Sequence, residues 1–132
     1  LSIRRQRQMC IRDSINSFCA IVTESNFAHP FPMFSEKVIN AMKAGRPFIV
    51  ASSAGTLAYL RQHGFKTFSE FWDESYDDEI NHELRLQKIM KLIDYIDNMS
   101  IDELKILYSK IKPTIEYNFR WLNKIRDKDL SF

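Results

Sequence analysis

The chain has 132 residues, and with 45% of them hydrophobic and 27% charged it can form one domain with a real core. Residues 1–13 hold four arginines and one aspartate, so the remaining chain has 15 basic and 16 acidic residues and a net charge of −1. That balance excludes a nucleic-acid partner on electrostatic grounds. Beyond residue 13 the only cysteine is Cys19, which excludes a disulfide framework and a zinc site. We therefore expect a cytoplasmic protein without a membrane span.

The first residues do not look native. The run from Arg5 to Ser14 resembles a translated sequencing-adapter read-through. It has neither the apolar core of a signal peptide nor the length of a membrane span. A basic arm for nucleic acid or membrane is the competing interpretation, but nothing later in the chain supports a basic partner surface. We expect residues 1–13 to be an artefact and residues 14–132 to form the domain.

Residues 18–51 predict a β-α-β unit. Phe18–Thr23 is a short apolar run with β-branched residues, typical of a buried strand. Ser35 caps a helix that continues to about Ala44, and Pro47–Ala51 is the second strand. A helix between two buried strands predicts parallel pairing through a right-handed crossover. The face of the helix expected to pack on the strands carries Val38, Ile39 and Met42.

A small-residue turn and a short helix follow the second strand. The turn is Ser52–Thr56, the helix is Leu57–Gln62, and Gly64 closes it. Phe65–Phe68 is a candidate for a third short strand.

The C-terminal half is predicted to be helical. Ser100–Glu103 reads as a capping box, and Pro113 either breaks the helix that follows or begins another. Three apolar stripes recur at helical spacing. They comprise Leu86, Ile89, Met90, Ile93 and Ile96, then Leu104, Leu107, Tyr108 and Ile111, then Ile115, Phe119 and Leu122.

The helix that begins at Ser35-Glu36-Lys37 is suited to a phosphate. Its N-terminus offers free N–H groups and positive potential. Lys37 would add a mobile cation, and Glu36 would accept hydrogen bonds from a sugar hydroxyl. The alternative is a solvated first turn, in which Glu36 favours the helix dipole and Lys37 is only surface charge.

Ligands of open parallel sheets bind at the carboxyl ends of the strands. Glu24, at the end of the first strand, is a candidate for holding sugar hydroxyls or positioning Lys37, or else satisfies backbone donors of its own loop. Ser53, Gly55 and Thr56 form an N–H-rich turn that would approach a phosphate, or else they simply permit a tight turn.

An acidic cluster follows, and the histidines are scattered. The cluster suggests a divalent cation, but its spacing lacks the alternating ligands of a calcium loop. We expect it to place negative charge at the start of the following helix. No nucleophile or paired ligand stands near a histidine, so we assign none of them to catalysis. The acidic residues are Asp73, Glu74, Asp77, Asp78 and Glu79, and the histidines are His29, His63 and His82.

The strand–loop–helix–strand segment resembles the donor-binding segment of fucosyltransferase-type glycosyltransferases, on Glu24-Ser25-Asn26, Phe34-Ser35-Glu36-Lys37, Ala44-Gly45 and Pro47–Val50. The downstream stretch Gly55–Asp77 is similar to a group of bacterial and phage proteins with the same Glu-Lys helix. Together the resemblance covers roughly residues 18–98.

The resemblance implies a function and a fold. In that family the motif's lysine contacts the donor diphosphate and its glutamate contacts the nucleotide ribose, and Lys37 and Glu36 stand at those positions. The fold implied is α/β: a partial Rossmann-like parallel sheet, the C-terminal half of a two-domain glycosyltransferase, followed by a helical tail. The donor site implied comprises Glu24, Ser35, Glu36, Lys37, Ser53, Gly55 and Thr56.

The implied reaction transfers a sugar from a nucleoside diphosphate to the hydroxyl of a glycan or other acceptor, without a metal or cofactor. The catalytic base is expected in an N-terminal domain missing from this fragment, so the fragment alone would be inactive. Arg46 stands where the family has a small or apolar residue, which puts fucose itself in doubt. The alternative is a non-catalytic interaction domain of a phage or surface-polysaccharide protein on the same scaffold.

Overall fold

The computed structural model describes residues 18–23 and 36–128. The expected artefact at residues 1–13, the strand-end Glu24 and the cap Ser35 therefore lie outside the described residues. Two strands, four α-helices and one short 3-10 helix follow one another along the described chain. They are β1 (Ala20–Thr23), α1 (Glu36–Lys43), β2 (Phe48–Ala51), α2 (Thr56–Gln62), the 3-10 helix (Ser75–Asp78), α3 (His82–Asp97) and α4 (Ile101–Lys128).

The predicted β-α-β unit is present, and its strands are parallel. Ala20 lies opposite Phe48 and Thr23 lies opposite Ala51, while the Ala20 N–H donates to the Pro47 carbonyl at 2.9 Å. The sheet of the described chain has these two strands alone. All four residues of β2 are buried, as expected for a parallel strand covered on both faces.

Helix α1 covers the sheet with a face slightly rotated from the predicted one. Val38, Ala41 and Met42 are buried, whereas Ile39 is only half-buried and packs at the margin of the core.

The prediction of a third strand at Phe65–Phe68 is wrong. Both aromatic side chains are buried, but the segment pairs with no strand of the described residues. The Phe65 N–H donates to the Leu60 carbonyl at 3.1 Å, and the backbone groups of Lys66 and Phe68 bind side chains. The Lys66 N–H and C=O bind the Asn118 amide at 2.8 and 2.9 Å, and the Phe68 N–H donates to Glu74 Oε2 at 3.1 Å. The two phenylalanines are thus core residues, but the hydrogen-bond partners of the backbone determine the secondary structure.

The buried face of α3 differs from the predicted stripe. Leu86 and Met90 are exposed, and Arg85 and Leu92 are buried beside Ile89 and Ile96. The actual stripe, Arg85-Ile89-Leu92-Ile96, follows the helical period as well as the predicted one does. The sequence pattern did not indicate it, because one member is an arginine.

Helix α4 is continuous through Pro113, so the expected break there is wrong. The capping box is confirmed, with the Glu103 N–H donating to Ser100 Oγ at 3.1 Å and the Ser100 N–H to Glu103 Oε1 at 3.3 Å. Pro113 removes one backbone donor, but the buried Ile111 and Ile115 on either side anchor the helix to the core.

Side chains in the C-terminal part of α4 bind the backbone of the turn that follows α2. Asn118 is only 1% exposed, whereas the predicted core residue Phe119 is 43% exposed. Tyr117 Oη donates to the Gly64 carbonyl at 2.9 Å, and Trp121 Nε1 donates to the His63 carbonyl at 2.7 Å. Backbone groups at three positions, 63, 64 and 66, are therefore bound by side chains of one helix.

Gly64 is the residue that permits this contact. Its φ of +90° lies in the left-handed region, and a Cβ there would lie 2.6 Å from the Trp121 ring. Trp121 thus packs directly on this turn.

We predict that Asn118→Ala lowers the free energy of unfolding by about 1–3 kcal/mol, because the Lys66 N–H and C=O would lose their partner in a partly buried site. Urea unfolding measures the change. Asn123→Ala, on the same helix and partly exposed, is the matched control and should change stability by less than the Asn118 variant. Equal losses in the two variants would contradict the role given to Asn118.

Candidate functional site

Lys37 lies at the carboxyl end of β1. Its Nζ donates to the Thr23 carbonyl, the last of the strand, at 2.8 Å. Both Lys37 and its neighbour Glu36 are exposed in the first turn of α1. The crossover geometry therefore puts the Glu-Lys pair at the edge of the sheet where ligands of parallel sheets bind. Glu24 and Ser35, the other predicted members of this part of the site, lie outside the described residues.

A second cation lies at the end of the adjacent strand. Arg85 of α3 is buried, and its Nε donates to the Ser52 carbonyl at 3.0 Å. Its Nη1 also donates to the carbonyls of Glu79 at 2.8 Å and Ile80 at 3.2 Å. Because Thr23 pairs with Ala51, Ser52 follows directly beside the end of β1. Lys37 and Arg85 thus bind carbonyl groups at the ends of neighbouring parallel strands.

Sequence reasoning missed Arg85, since an arginine on a helix is usually a solvated residue. Burial lowers the pKa of Arg85, and the carboxylates of Asp77 and Glu79 oppose that shift. An arginine remains charged in any protein, so α3 delivers a buried positive charge to the carboxyl edge of the sheet. In the sequence, only its position in the helical stripe with Ile89, Leu92 and Ile96 could have indicated that Arg85 is buried.

The predicted phosphate-binding turn is built from buried residues. Ser53 and Thr56 are buried, and Thr56 Oγ1 donates to the Ser53 carbonyl at 2.7 Å. Gly55 precedes α2 with a φ of +88°, a conformation that side chains disfavour. Its N–H donates to the Asp77 carbonyl at 2.8 Å.

The acceptor for the N-terminus of α2 is the Asp77 carboxylate. Its Oδ1 accepts from the Leu57 N–H at 2.9 Å and its Oδ2 from the Ala58 N–H at 3.1 Å. The anion that a helix N-terminus attracts is therefore supplied by the chain itself. The assignment of Ser53, Gly55 and Thr56 to a donor site stays a prediction, and this geometry does not favour it.

We expected the acidic segment to start α3, and this prediction is wrong. Asn81 caps α3 by accepting from the N–H groups of Glu83 and Leu84. Glu74 instead turns inward, where its Oε1 pairs with Arg61 Nη2 at 3.2 Å and its Oε2 accepts from Phe68. Two acidic residues close in sequence thus have different partners. Asp77 binds the start of α2, and Glu74 binds Arg61 of that helix and the backbone of Phe68. The sequence alone does not distinguish these roles.

Burial and hydrogen bonds determine how the pKa values of this segment depart from their usual values. Burial raises the pKa of Glu74 and of Asp77 above their usual values, against the opposing effect of their N–H donors and Arg61. Hydrogen bonds from Ser75 lower the pKa of the exposed Asp73. Burial also raises the pKa of Cys19 to about 12, so this thiol is not a nucleophile near neutral pH.

Neither a metal site nor a membrane helix is evident in the part of the chain that the structure describes. No group of three or more His, Cys, Asp or Glu side chains in residues 18–23 and 36–128 could hold a metal ion. Within the same ranges no helix is both long and apolar enough to cross a bilayer. Comparison with protein-family models, curated proteins and solved structures finds no match to the chain.

We predict that Asp77→Ala destabilises the domain by about 1–3 kcal/mol, because two N–H groups of α2 lose their acceptor. Urea unfolding measures the effect. Asp78→Ala is the matched control, since Asp78 is the adjacent residue with the same charge but an exposed side chain. If the Asp78 variant lost as much stability, net charge and not capping would explain the effect.

We further predict that the advantage of the wild type over Glu74→Gln shrinks as pH rises. Burial raises the pKa of Glu74 in the folded state, so the folded protein binds this proton more tightly than the unfolded chain. Stability from this group is complete below the unfolded pKa and is lost as pH rises through the folded pKa. Glutamine keeps an acceptor for Phe68 but has no proton to lose.

Urea unfolding of both proteins between about pH 4 and about pH 7 tests this sign. Glu70→Gln, at an exposed position, controls for the loss of one negative charge. An advantage of the wild type that grew with pH would show that the Arg61 ion pair outweighs burial.

Proposed function

We propose that the chain is the donor-binding part of a glycosyltransferase that transfers a sugar from a nucleoside diphosphate to an acceptor hydroxyl. The observation that carries the proposal is the placement of Lys37 and Arg85 at the ends of adjacent parallel strands. A diphosphate is the ligand whose charge and size suit two cations at a strand edge.

Each cation has a distinct role in this proposal. Lys37 has a flexible, exposed stem, so its ammonium can move from the Thr23 carbonyl to a phosphate oxygen. Arg85 is held by three carbonyls and supplies a fixed positive potential. As the sugar leaves, negative charge develops on the diphosphate, and both charges stabilise it. Glu36 next to Lys37 would accept from the ribose hydroxyls.

The proposed architecture is one unit of a larger Rossmann-like sheet. A two-stranded parallel sheet is small for an independent α/β domain, because parallel sheets usually have several strands between two layers of helices. The remaining strands, the catalytic base and the acceptor site would belong to a further domain. By this proposal the described residues bind the donor and perform no turnover alone.

A specific observation favours the second candidate, a non-catalytic interaction domain. Ile80 is 87% exposed, and it is followed by the exposed Leu84, Leu86 and Met90 along α3. Leu86 and Met90 lie one turn apart on α3, and neighbouring exposed apolar side chains occur on protein-binding surfaces. The occupation of the α2 N-terminus by Asp77 points the same way, because it removes one predicted contact to phosphate.

We predict that Lys37→Ala weakens the binding of nucleoside diphosphates by about 1.5–3 kcal/mol, the usual worth of a hydrogen bond between charged groups. Calorimetry on the complete protein with UDP and GDP measures the affinity. Lys43→Ala removes an exposed lysine from the other end of the same helix and should leave the affinity unchanged.

A second pair of measurements separates ribose from phosphate. Glu36→Gln should weaken nucleoside-diphosphate binding much more than pyrophosphate binding, because its proposed partner is the sugar. Equal affinity for the wild type and both variants would reduce the Glu-Lys pair to surface charge. The interaction domain would then be the better interpretation.

A further inference from the structure

A cavity of about 320 Å³ lies between the C-terminal end of α1 and the middle of α4. This volume is at the lower end of the range for small-molecule sites, which are mostly apolar with a few polar groups. Glu36 and Lys37 begin α1, whereas Met42, in the last turn of that helix, lines the cavity. The cavity is therefore separate from the site at the strand ends.

Much of the cavity wall is apolar or aromatic. The side chains that form this part of the wall are Met42, Tyr108, Ile115 and Phe119. Met42 and Ile115 are buried, whereas Phe119 is 43% exposed. Tyr108 Oη donates to the Gly45 carbonyl at 2.9 Å, which holds the Tyr108 ring in place. An apolar group of a ligand would therefore contact two aromatic rings and a thioether.

Three charged side chains of alternating sign also line the cavity. Lys112, Glu116 and Arg120 follow one another at intervals of four residues, so they lie along one face of α4. Charges at this spacing are within reach of one another. Even so, none of the three side chains forms an ion pair or a hydrogen bond with any residue in the described ranges. An anion and two cations therefore face the same cavity with their bonding capacity unused.

We propose that this cavity binds a free α-amino acid with a large apolar side chain, such as phenylalanine. The Arg120 guanidinium binds the α-carboxylate, because its planar fork matches the two carboxylate oxygens. The Glu116 carboxylate accepts from the α-ammonium group. The apolar side chain of the ligand lies against Met42 and Phe119.

The spacing of the charges is the reason for choosing a zwitterion. In an α-amino acid one carbon atom separates the ammonium from the carboxylate. Glu116 and Arg120 are neighbours on the helix surface, with Cβ atoms about 5–6 Å apart, so one small ligand reaches both. A carboxylate alone would be repelled by Glu116, and an amine alone would leave Arg120 without a partner.

The test follows the methionine methyl resonances of the ¹³C-methyl-labelled chain, with L-phenylalanine as the probe. Met42→Leu assigns the Met42 signal and nearly conserves the volume of the side chain. Phenylalanine should move the Met42 resonance and leave that of Met90 in place, since Met90 belongs to α3 and does not line the cavity. 3-Phenylpropionate lacks the ammonium, phenethylamine lacks the carboxylate and glycine lacks the ring. Each should bind about tenfold more weakly than phenylalanine.

Arg120→Gln and Glu116→Gln should each weaken phenylalanine binding about tenfold, as expected for the loss of one charge-assisted hydrogen bond. Lys110→Gln and Glu70→Gln remove the same charges at exposed positions outside the cavity, so these two controls should bind as the wild type does.

A Met42 resonance that stays in place at about 10 mM phenylalanine, above the millimolar Kd of a weak ligand, would overturn the proposal. Equal weakening in the variants and their controls would overturn it too. So would binding of phenethylamine or 3-phenylpropionate as tight as that of phenylalanine, because the site would then not require both charges.

Discussion

The inward turn of two carboxylates, Glu74 and Asp77, fixes the geometry on which most of the molecule depends. Asp77 holds the start of α2, while Glu74 holds Arg61 near the end of that helix and the backbone of Phe68 after it. A short segment therefore bonds to both ends of one helix. Burial of these groups is unfavourable for their charge, and the hydrogen bonds they accept offset that cost only in part, since both pKa values stay raised. The same segment holds the turn after β2, because the Asp77 carbonyl accepts from the Gly55 N–H.

The carboxyl edge of the sheet combines exposed and buried charge. Lys37 sits in solvent and can exchange one oxygen partner for another, whereas Arg85 is bound by carbonyls on three sides. A buried guanidinium loses hydration, and the three carbonyl groups replace part of it. The carboxylates of Asp77 and Glu79 act on the charge of Arg85, so charges of both signs lie near the strand ends.

Much of the fold could be predicted from the sequence, because local patterns determined it. The two strands, their parallel pairing, α1, α2 and the capping box at Ser100 all follow from apolar runs, glycines and cap residues. Arg85, Asp77 and Asn118 could not be predicted, since each is a polar residue whose role depends on a partner distant in sequence. The third strand was wrong for the same reason, because its backbone groups bind Asn118 and Glu74.

The candidate site, too, could be predicted from the sequence only in part. The motif placed Glu36 and Lys37 at the end of β1 correctly, since a helix that follows a strand must begin at that edge. It could not show that the N-terminus of α2 is capped by Asp77, which comes 20 residues after Leu57. Glu24 and Ser35 lie outside the described residues, so their place in the site stays a prediction.

Side chains of α4 bind backbone groups of residues 63, 64 and 66, and this has a consequence for synthesis on the ribosome. Asn118 and Lys66 are 52 residues apart, and Trp121 and His63 are 58 apart. The turn after α2 leaves the exit tunnel long before the side chains that satisfy its backbone have been made. Contacts of such long range delay folding until the loop between them can close. The backbone groups of residues 63, 64 and 66 therefore lack these partners until α4 has emerged, so this part of the domain completes its folding late.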